Sequence, residues 1–371
     1  IYDELKPFFK EIKILPSLEK ILDGTFLSTQ LKDITVEDLL ARHPKDLDKI
    51  KISQFIEDKT IMITGAGGSI GSEISRKCAS FGAKQLILLD HSEYNLYSIT
   101  EELKDSYIVP VMQTVRKIEF LEKTFEKYKK QKTIDIVFAG TFLNDIEKPW
   151  HDNLAYPSKL LDEVFELFMY DDYLSIQEAF KIVFDRNKIL FSSIGKIQLS
   201  NLYRVVQNYI RSYSRILLIK KLSESGLNIT ICGNGWENFA KEHKNINYIG
   251  ALDIKENLEL IKKAKVLINV TPTLRNGSHE RVFTGMLNNT VLFSDRSRYY
   301  DEFFEDEKNI LYYSFNSLDK DIEKLKAILS DDKKLFEISQ NAYEIANKYH
   351  TWENRVDTIL DMVKLSKLMD K

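Results

Sequence analysis

Apolar and polar positions change their spacing repeatedly along the chain. Leu5, Phe8, Phe9 and Ile12 recur at helical intervals, and Leu18, Ile21 and Leu22 resume the pattern between Pro16 and Gly24. Thr35–Pro44 reads as a further short helix, with Thr35 as N-cap and Glu37 and Asp38 in the first turn. Residues 1–58 are therefore expected to form a helical lead-in. From Thr60 onward, short β-branched runs alternate with amphipathic stretches. Strands are expected at 60–64, 85–90, 107–112 and 134–139, with helices at 72–81, 98–104 and 120–130. Residues 150–227 turn mostly helical. Leu154, Leu160, Leu161, Val164, Phe165 and Phe168 make one apolar stripe, and a long helix is expected over 201–225. Alternation then returns, with strands at 228–232, 247–250, 265–270 and 290–295 and helices at 254–263, 279–287 and, in pieces, 319–367. The pattern predicts an α/β fold: two Rossmann-like parallel-sheet modules behind a helical N-terminal lead-in. A seam near residues 131–133 divides a partial unit, 59–132, from a larger one, 133–371.

Composition narrows the function. The chain has 371 residues, 43% apolar and 29% charged, with a formal charge of −3. Near-balanced charge gives no general attraction to nucleic acid or to an anionic membrane. No apolar run reaches the roughly 18 residues that span a bilayer. Cys78 and Cys232 stand without a CxxC pair or a Cys/His cluster, so they read as reduced, buried thiols, and no metal site is expected. The expected location is the cytoplasm; membrane association through a part preceding Ile1 is the alternative.

The first chemical signal is the glycine-rich segment of TIMITGAGGSIGSE. Gly65 permits a tight turn between strand and helix. Gly67 and Gly68, lacking Cβ, let backbone N–H groups approach a pyrophosphate, and Gly71 lets the helix pack on the strand. Asp90 closes the next strand about 20 residues later, where an acid can hold a ribose hydroxyl. The alternative is that the glycines serve packing alone. Residues 32–130, above all GAGGSIGSE and LDHSEYNLY, resemble the N-terminal part of UDP-N-acetylhexosamine 4,6-dehydratases of the extended short-chain dehydrogenase class. The resemblance implies NAD(P) binding through Gly65, Gly68, Gly71 and Asp90. It places Ser69 and Ile70 beside the pyrophosphate and Ser92 and Glu93 near the adenosine. It stops short of a catalytic site. Val115–Lys117 replace an adenine-contacting acid, Gly140–Leu143 replace an alanine-rich turn, and Tyr156 and Lys159 lack the Tyr–Lys spacing of that class. Dehydratase activity is not expected.

The second signal is Asn276–Gly277–Ser278, between a strand and a helix. Backbone N–H groups there, with the helix N-terminus, make a natural anion site, to which His279 and Arg281 add donors. Such donors stabilise charge developing on a leaving diphosphate. The bland alternative makes Glu280–Arg281 a surface ion pair. Gly140–Thr141 and Gly233–Asn234 follow strands at an edge where open sheets bind ligands, or are plain turns. Pro272 and Thr273 could line the same cleft, and Trp236 is either core or a base-stacking platform. Residues 133–360, with NGSHERVF as the most specific segment, resemble the C-terminal donor-binding domain of CgeB-type GT-B glycosyltransferases. The resemblance implies a nucleotide-sugar donor held by Thr141, Gly233, Asn234, Gly277, Ser278, His279, Arg281 and Thr284. Thr284 stands where many such domains carry a ribose-binding Glu, and Asn289 where a Gly is expected. The expected function is a glycosyltransferase-like role in bacterial surface-glycan synthesis, of hexosyltransferase type, with a glycan or protein acceptor. The alternatives are an NAD(P)-binding dehydratase remnant and a non-catalytic fusion of the two.

Overall fold

The computed structural model describes residues 49–90, 122–142, 147–190 and 194–369, together with 13–14, 32–33, 96, 99–100, 102–103 and 108–110. The expected helices within 1–44, including the Thr35 cap, lie outside these residues, as do Ser92, Glu93 and Val115–Lys117. Within the lead-in, Lys49–Ile56 is helical (α1), whereas Lys13–Ile14 pairs antiparallel with Lys32–Asp33, so the lead-in is not wholly helical.

Two all-parallel sheets follow. The first is three-stranded, in the order β1-β2-β3: Thr60–Thr64, Gln85–Leu89 and Ile108–Pro110, with α2 (Ser69–Ser80) after β1. Its core gathers Ile63, Ala66, Cys78, Leu86 and Leu88. After α3 (Phe125–Gln131) the chain enters β4 (Ile134–Ala139), which belongs to the second sheet. That sheet has six strands in the order β9-β8-β7-β4-β5-β6. Its remaining strands are β5 (Ile229–Cys232), β6 (Ile246–Tyr248), β7 (Ala264–Asn269), β8 (Val291–Ser294) and β9 (Leu311–Tyr312), with the helices α7 (Glu237–Glu242), α8 (Ile254–Lys263) and α10 (Arg298–Asp301) among the connections. The two-residue β9 has no counterpart among the expected strands.

Alternation along the central strands gives the sheet two apolar faces. Ile136, Phe138, Ile231 and Ile268 point to the face packed by α6 (Lys196–Glu224) and α11 (Leu318–Leu329). Val137, Leu267 and Leu292 point to the face packed by α9 (Glu280–Leu287) and α12 (Asp332–Tyr349). Between β4 and β5 the chain inserts α4 (Ser158–Tyr170), α5 (Ile176–Arg186) and the first half of α6, packed around the fully buried Trp150. Leu154 does not join that stripe. It precedes the helix and is fully exposed. At the start of β4, buried Lys132 donates from Nζ to the Asn288 carbonyl (3.0 Å) and to Thr290 Oγ1 (2.9 Å). Burial holds its ammonium well below the ordinary lysine range. Asn289, replacing an expected Gly, adopts φ 52°, a left-handed conformation that Asn tolerates better than most residues.

In the first unit Gly71 is a packing requirement, since a Cβ there would overlap the Gly65 carbonyl. Gly71→Ala is therefore expected to destabilise the three-stranded unit by about 1–3 kcal/mol. Amide exchange should accelerate across β1 and β2 but not across β4, β5 and β7; unchanged exchange in β1 and β2 would refute the packing role.

Candidate functional site

The larger sheet changes direction at β4. The chain adds β5 and β6 on one side, then crosses to β7 on the other, and open sheets bind ligands at the carboxyl ends of strands beside such a switch. A cleft of about 640 Å³ lies there, reached by the turns after β4 and β5 and by the first turns of α9. Gly140 and Gly233 bring the two turns into contact. Gly140 N–H donates to the Cys232 carbonyl (2.9 Å) and Phe142 N–H to that of Asn234 (2.8 Å). Gly233 has φ 132°, and a Cβ on it would overlap the Gly140 carbonyl. Trp236 is core: it is fully buried, packs edge-on to Phe138 and Phe142, and donates from Nε1 to the Gly140 carbonyl (2.7 Å).

Six of the expected donor residues line this cleft: Thr141, Gly233, Asn234, His279, Arg281 and Thr284. Gly277 and Ser278 are buried and absent from its lining. The reason lies in hydrogen bonds that a sequence does not display. Gly277 N–H donates to the Leu274 carbonyl, and His279 N–H to the Tyr300 hydroxyl (2.9 Å). The Gly277 and His279 amides are thus engaged with the protein, and His279 and Arg281 line the cavity. Pro272 and Thr273 are likewise absent from the lining.

Arginines from two elements converge at the cleft. Arg215, on α6, donates from Nη1 to the Thr141 carbonyl (3.1 Å). Arg281, on α9, makes a long contact with Asn269 Oδ1 (3.4 Å). Burial, then the charges of Arg281 and Arg211, push the Arg215 guanidinium down to about 10. Arg281 is also lowered by burial. No salt bridge joins Arg211, Arg215 or Arg281 to a carboxylate among the described residues. His279 caps α9 by accepting the Arg281 N–H at Nδ1 (3.1 Å), which puts its own proton on Nε2. Burial and the three arginines push its pKa down to about 3. Arg211 and Arg215 carried no expected role, although their i, i+4 spacing puts both on one helix face. Trp352, opening α13 (Trp352–Met369), also lines the cleft and was not anticipated.

In the three-stranded unit, Gly65 (φ 65°) makes the turn and Gly68 caps α2 without a side-chain hydrogen bond. Ser69 and Ile70 are exposed at the helix start. Asp90 accepts the Gly67 N–H (2.8 Å), so its carboxylate lies against the glycine turn. The turn, the helix N-terminus and the acid fit the pyrophosphate and ribose of a dinucleotide. Among the described residues, no group of three or more His, Cys, Asp or Glu is placed to hold a metal, and no helix is long and apolar enough to cross a membrane.

His350 is also fully buried, stacked on Phe283 (4.5 Å, 15°), and burial lowers its pKa to about 3. His279 and His350 are expected to stay neutral by NMR down to about pH 4. The unfolded chain binds these protons near 6.5, so both histidines should withdraw stability as pH falls below that value, by at most about 1.4 kcal/mol per pH unit each. A His279 titration midpoint near 6.5 would contradict the arginine cluster.

Comparison with known proteins finds two families, each over a different stretch of the chain. Residues 61–140 match the family described as polysaccharide biosynthesis protein, and residues 211–361 the family described as glycosyl transferase-like. EpsC of Bacillus subtilis (strain 168), named as a probable polysaccharide biosynthesis protein, is 44% identical over 111 residues. That alignment covers 28% of this chain and 19% of EpsC. The capsular polysaccharide biosynthesis protein CapD of Staphylococcus aureus is also 44% identical over 111 residues, covering 29% of this chain and 18% of CapD. In fold, the chain is similar to sucrose-phosphate synthase from Thermosynechococcus elongatus, with a TM-score of 0.50 and 10% identity over 88% of this chain and 80% of the other. The chain thus joins a polysaccharide-biosynthesis-like stretch to a glycosyl transferase-like one, and spans about a fifth of the length of the curated relatives it matches.

Proposed function

We propose that the C-terminal part binds a nucleoside diphosphate sugar and transfers its glycosyl group in surface-glycan synthesis. The observation that carries this reading is the meeting at the cleft of Arg281, which lines it, and Arg215, held on the Thr141 carbonyl, beside neutral His279, with no carboxylate salt-bridged to either arginine among the described residues. Like charges gathered in a partly buried cleft repel one another and are stabilised by an anion. A diphosphate supplies two adjacent ones, and planar guanidinium groups match its oxygens bidentately. When the glycosyl bond breaks, negative charge grows on the departing phosphate, where fixed cations lower the barrier. The His279 Nε2–H adds a neutral donor. Thr284, one turn along α9, offers one hydroxyl to the ribose, a weaker grip than a carboxylate's. Gly277 and Ser278 have no direct part in this arrangement. The glycosyl transferase-like match over 211–361 supports the reading.

Arg281→Ala should weaken binding of UDP-sugars, measured by calorimetry, by about 10- to 100-fold, the weight of a lost charge-assisted hydrogen bond. Arg281→Lys should restore part of the loss. Equal affinity in wild type and Arg281→Ala would remove the basis of the proposal.

A second reading concerns the glycine turn, where the uncapped, exposed start of α2 favours NAD(P) binding. Gly65, Gly68 and Ser69 would surround the pyrophosphate, Gly71 would hold the helix against the turn, and Asp90 would turn from Gly67 to the ribose. The cofactor, when bound, supplies a hydride acceptor. Gly68→Asp should abolish stabilisation by NAD(P) in a thermal-shift assay while leaving stabilisation by UDP-sugars intact; loss of both would contradict separate sites.

A further inference from the structure

We infer that the indole of Trp352 is the stacking platform for the donor's nucleobase, an inference that rests on the donor reading above. Of the three tryptophans, Trp150 and Trp236 are fully buried, whereas Trp352 is 36% exposed and lines the cleft. A large aromatic surface left partly open inside a cavity that is also lined by His279, Glu280 and Arg281 offers a flat apolar face to a ligand. Ile254, 82% exposed, lines the same cavity, as do Ala251, Leu252 and Leu258. The cleft therefore has an apolar component as well as a cationic one, and a nucleotide is a ligand with both.

The groups that line the cavity match the parts of a nucleotide in kind. Arg281 lies in the first turn of α9, and Thr284 is three residues further along, a rise of about 4.5 Å. His350 stacks on Phe283, the neighbour of Thr284, so the segment leading into α13 packs beside the second turn of α9. Trp352 is two residues beyond that stack. Arg281, Thr284 and Trp352 line one cavity, which therefore offers a single ligand a cation, a hydroxyl and a flat apolar face. Stacking tolerates any base, because every base presents a π-face. Trp352 therefore supplies affinity for the nucleoside and leaves the choice of base to other groups.

The test uses intrinsic fluorescence, excited at the red edge of indole absorption to avoid nucleotide absorbance, together with calorimetry on the full chain. UDP should change the emission saturably, while inorganic pyrophosphate, which meets only the arginines, should bind without changing it. Trp352→Ala should abolish the emission response and weaken UDP by about 10- to 100-fold, with pyrophosphate affinity unchanged. Trp352→Phe, which keeps an aromatic face, should retain most of the UDP affinity. Binding of UDP and pyrophosphate with equal affinity and no emission change would overturn this inference alone, and so would equal UDP affinity in wild type and Trp352→Ala. Binding of neither ligand would overturn the donor reading and this inference with it.

Discussion

The structure depends on β4 being paired along both edges. Ile136, Val137 and Phe138 are completely buried, with β5 hydrogen-bonded on one side and β7 on the other. A strand held this way fixes where the sheet reverses its winding, and so where a ligand can enter. It also fixes the Gly140–Thr141 turn, whose carbonyls receive Trp236 from the core side and Arg215 from the cleft side. The match to polysaccharide biosynthesis proteins extends to residue 140, through this same strand, yet its hydrogen-bonded partners all lie in the larger sheet. Sequence likeness and strand pairing thus assign β4 to different neighbours. Lys132, at the threshold of the strand, settles its seat by bonding the turn between α9 and β8.

The site is built from charge that the fold keeps apart from its usual partners. Elsewhere cations find carboxylates readily: Lys148 pairs with Asp162 and Lys324 with Asp306. At the cleft, α6 and α9 carry arginines to one place, and the nearby buried acid, Asp295, is held by Thr271 N–H and Ser294 rather than by salt-bridging Arg281. Burial raises that carboxyl to about 6. Under the proposed donor-binding role the electrostatic cost of such a cluster is offset, because pre-formed donors need no reorganisation when a phosphate binds.

Much of this was legible in the residues. The glycine turn, the alternation after Asn228 and the NGSHERVF segment led to parallel sheets and to a cleft containing Thr141, Asn234, His279 and Arg281. What escaped was whatever depends on distant partners. Ser278 read as a phosphate-binding position because its loop precedes a helix; the Tyr300 hydroxyl that engages the following amide lies 21 residues downstream. Arg215 had no expected role, and only the packing of α6 against the sheet brings it to the Thr141 carbonyl. Two-residue β9 is too short to show a period, and Leu154 looked like part of a stripe until the helix began after it.

The pairing of β4 with β7 also has a consequence during synthesis. Ile134 faces Ala264 and Phe138 faces Ile268, so about 130 residues must leave the ribosome before that edge is covered. At 5–20 residues per second that interval is on the order of ten seconds. Until then the nascent chain carries a mostly apolar strand, open on both edges before β5 emerges and on one edge after it, while the local β1–β2–β3 pairing upstream can already have formed. The second half of α6, which packs on Ile136 and Phe138, gives that strand a helical partner surface before its second neighbour exists, and so carries the burden of early solubility.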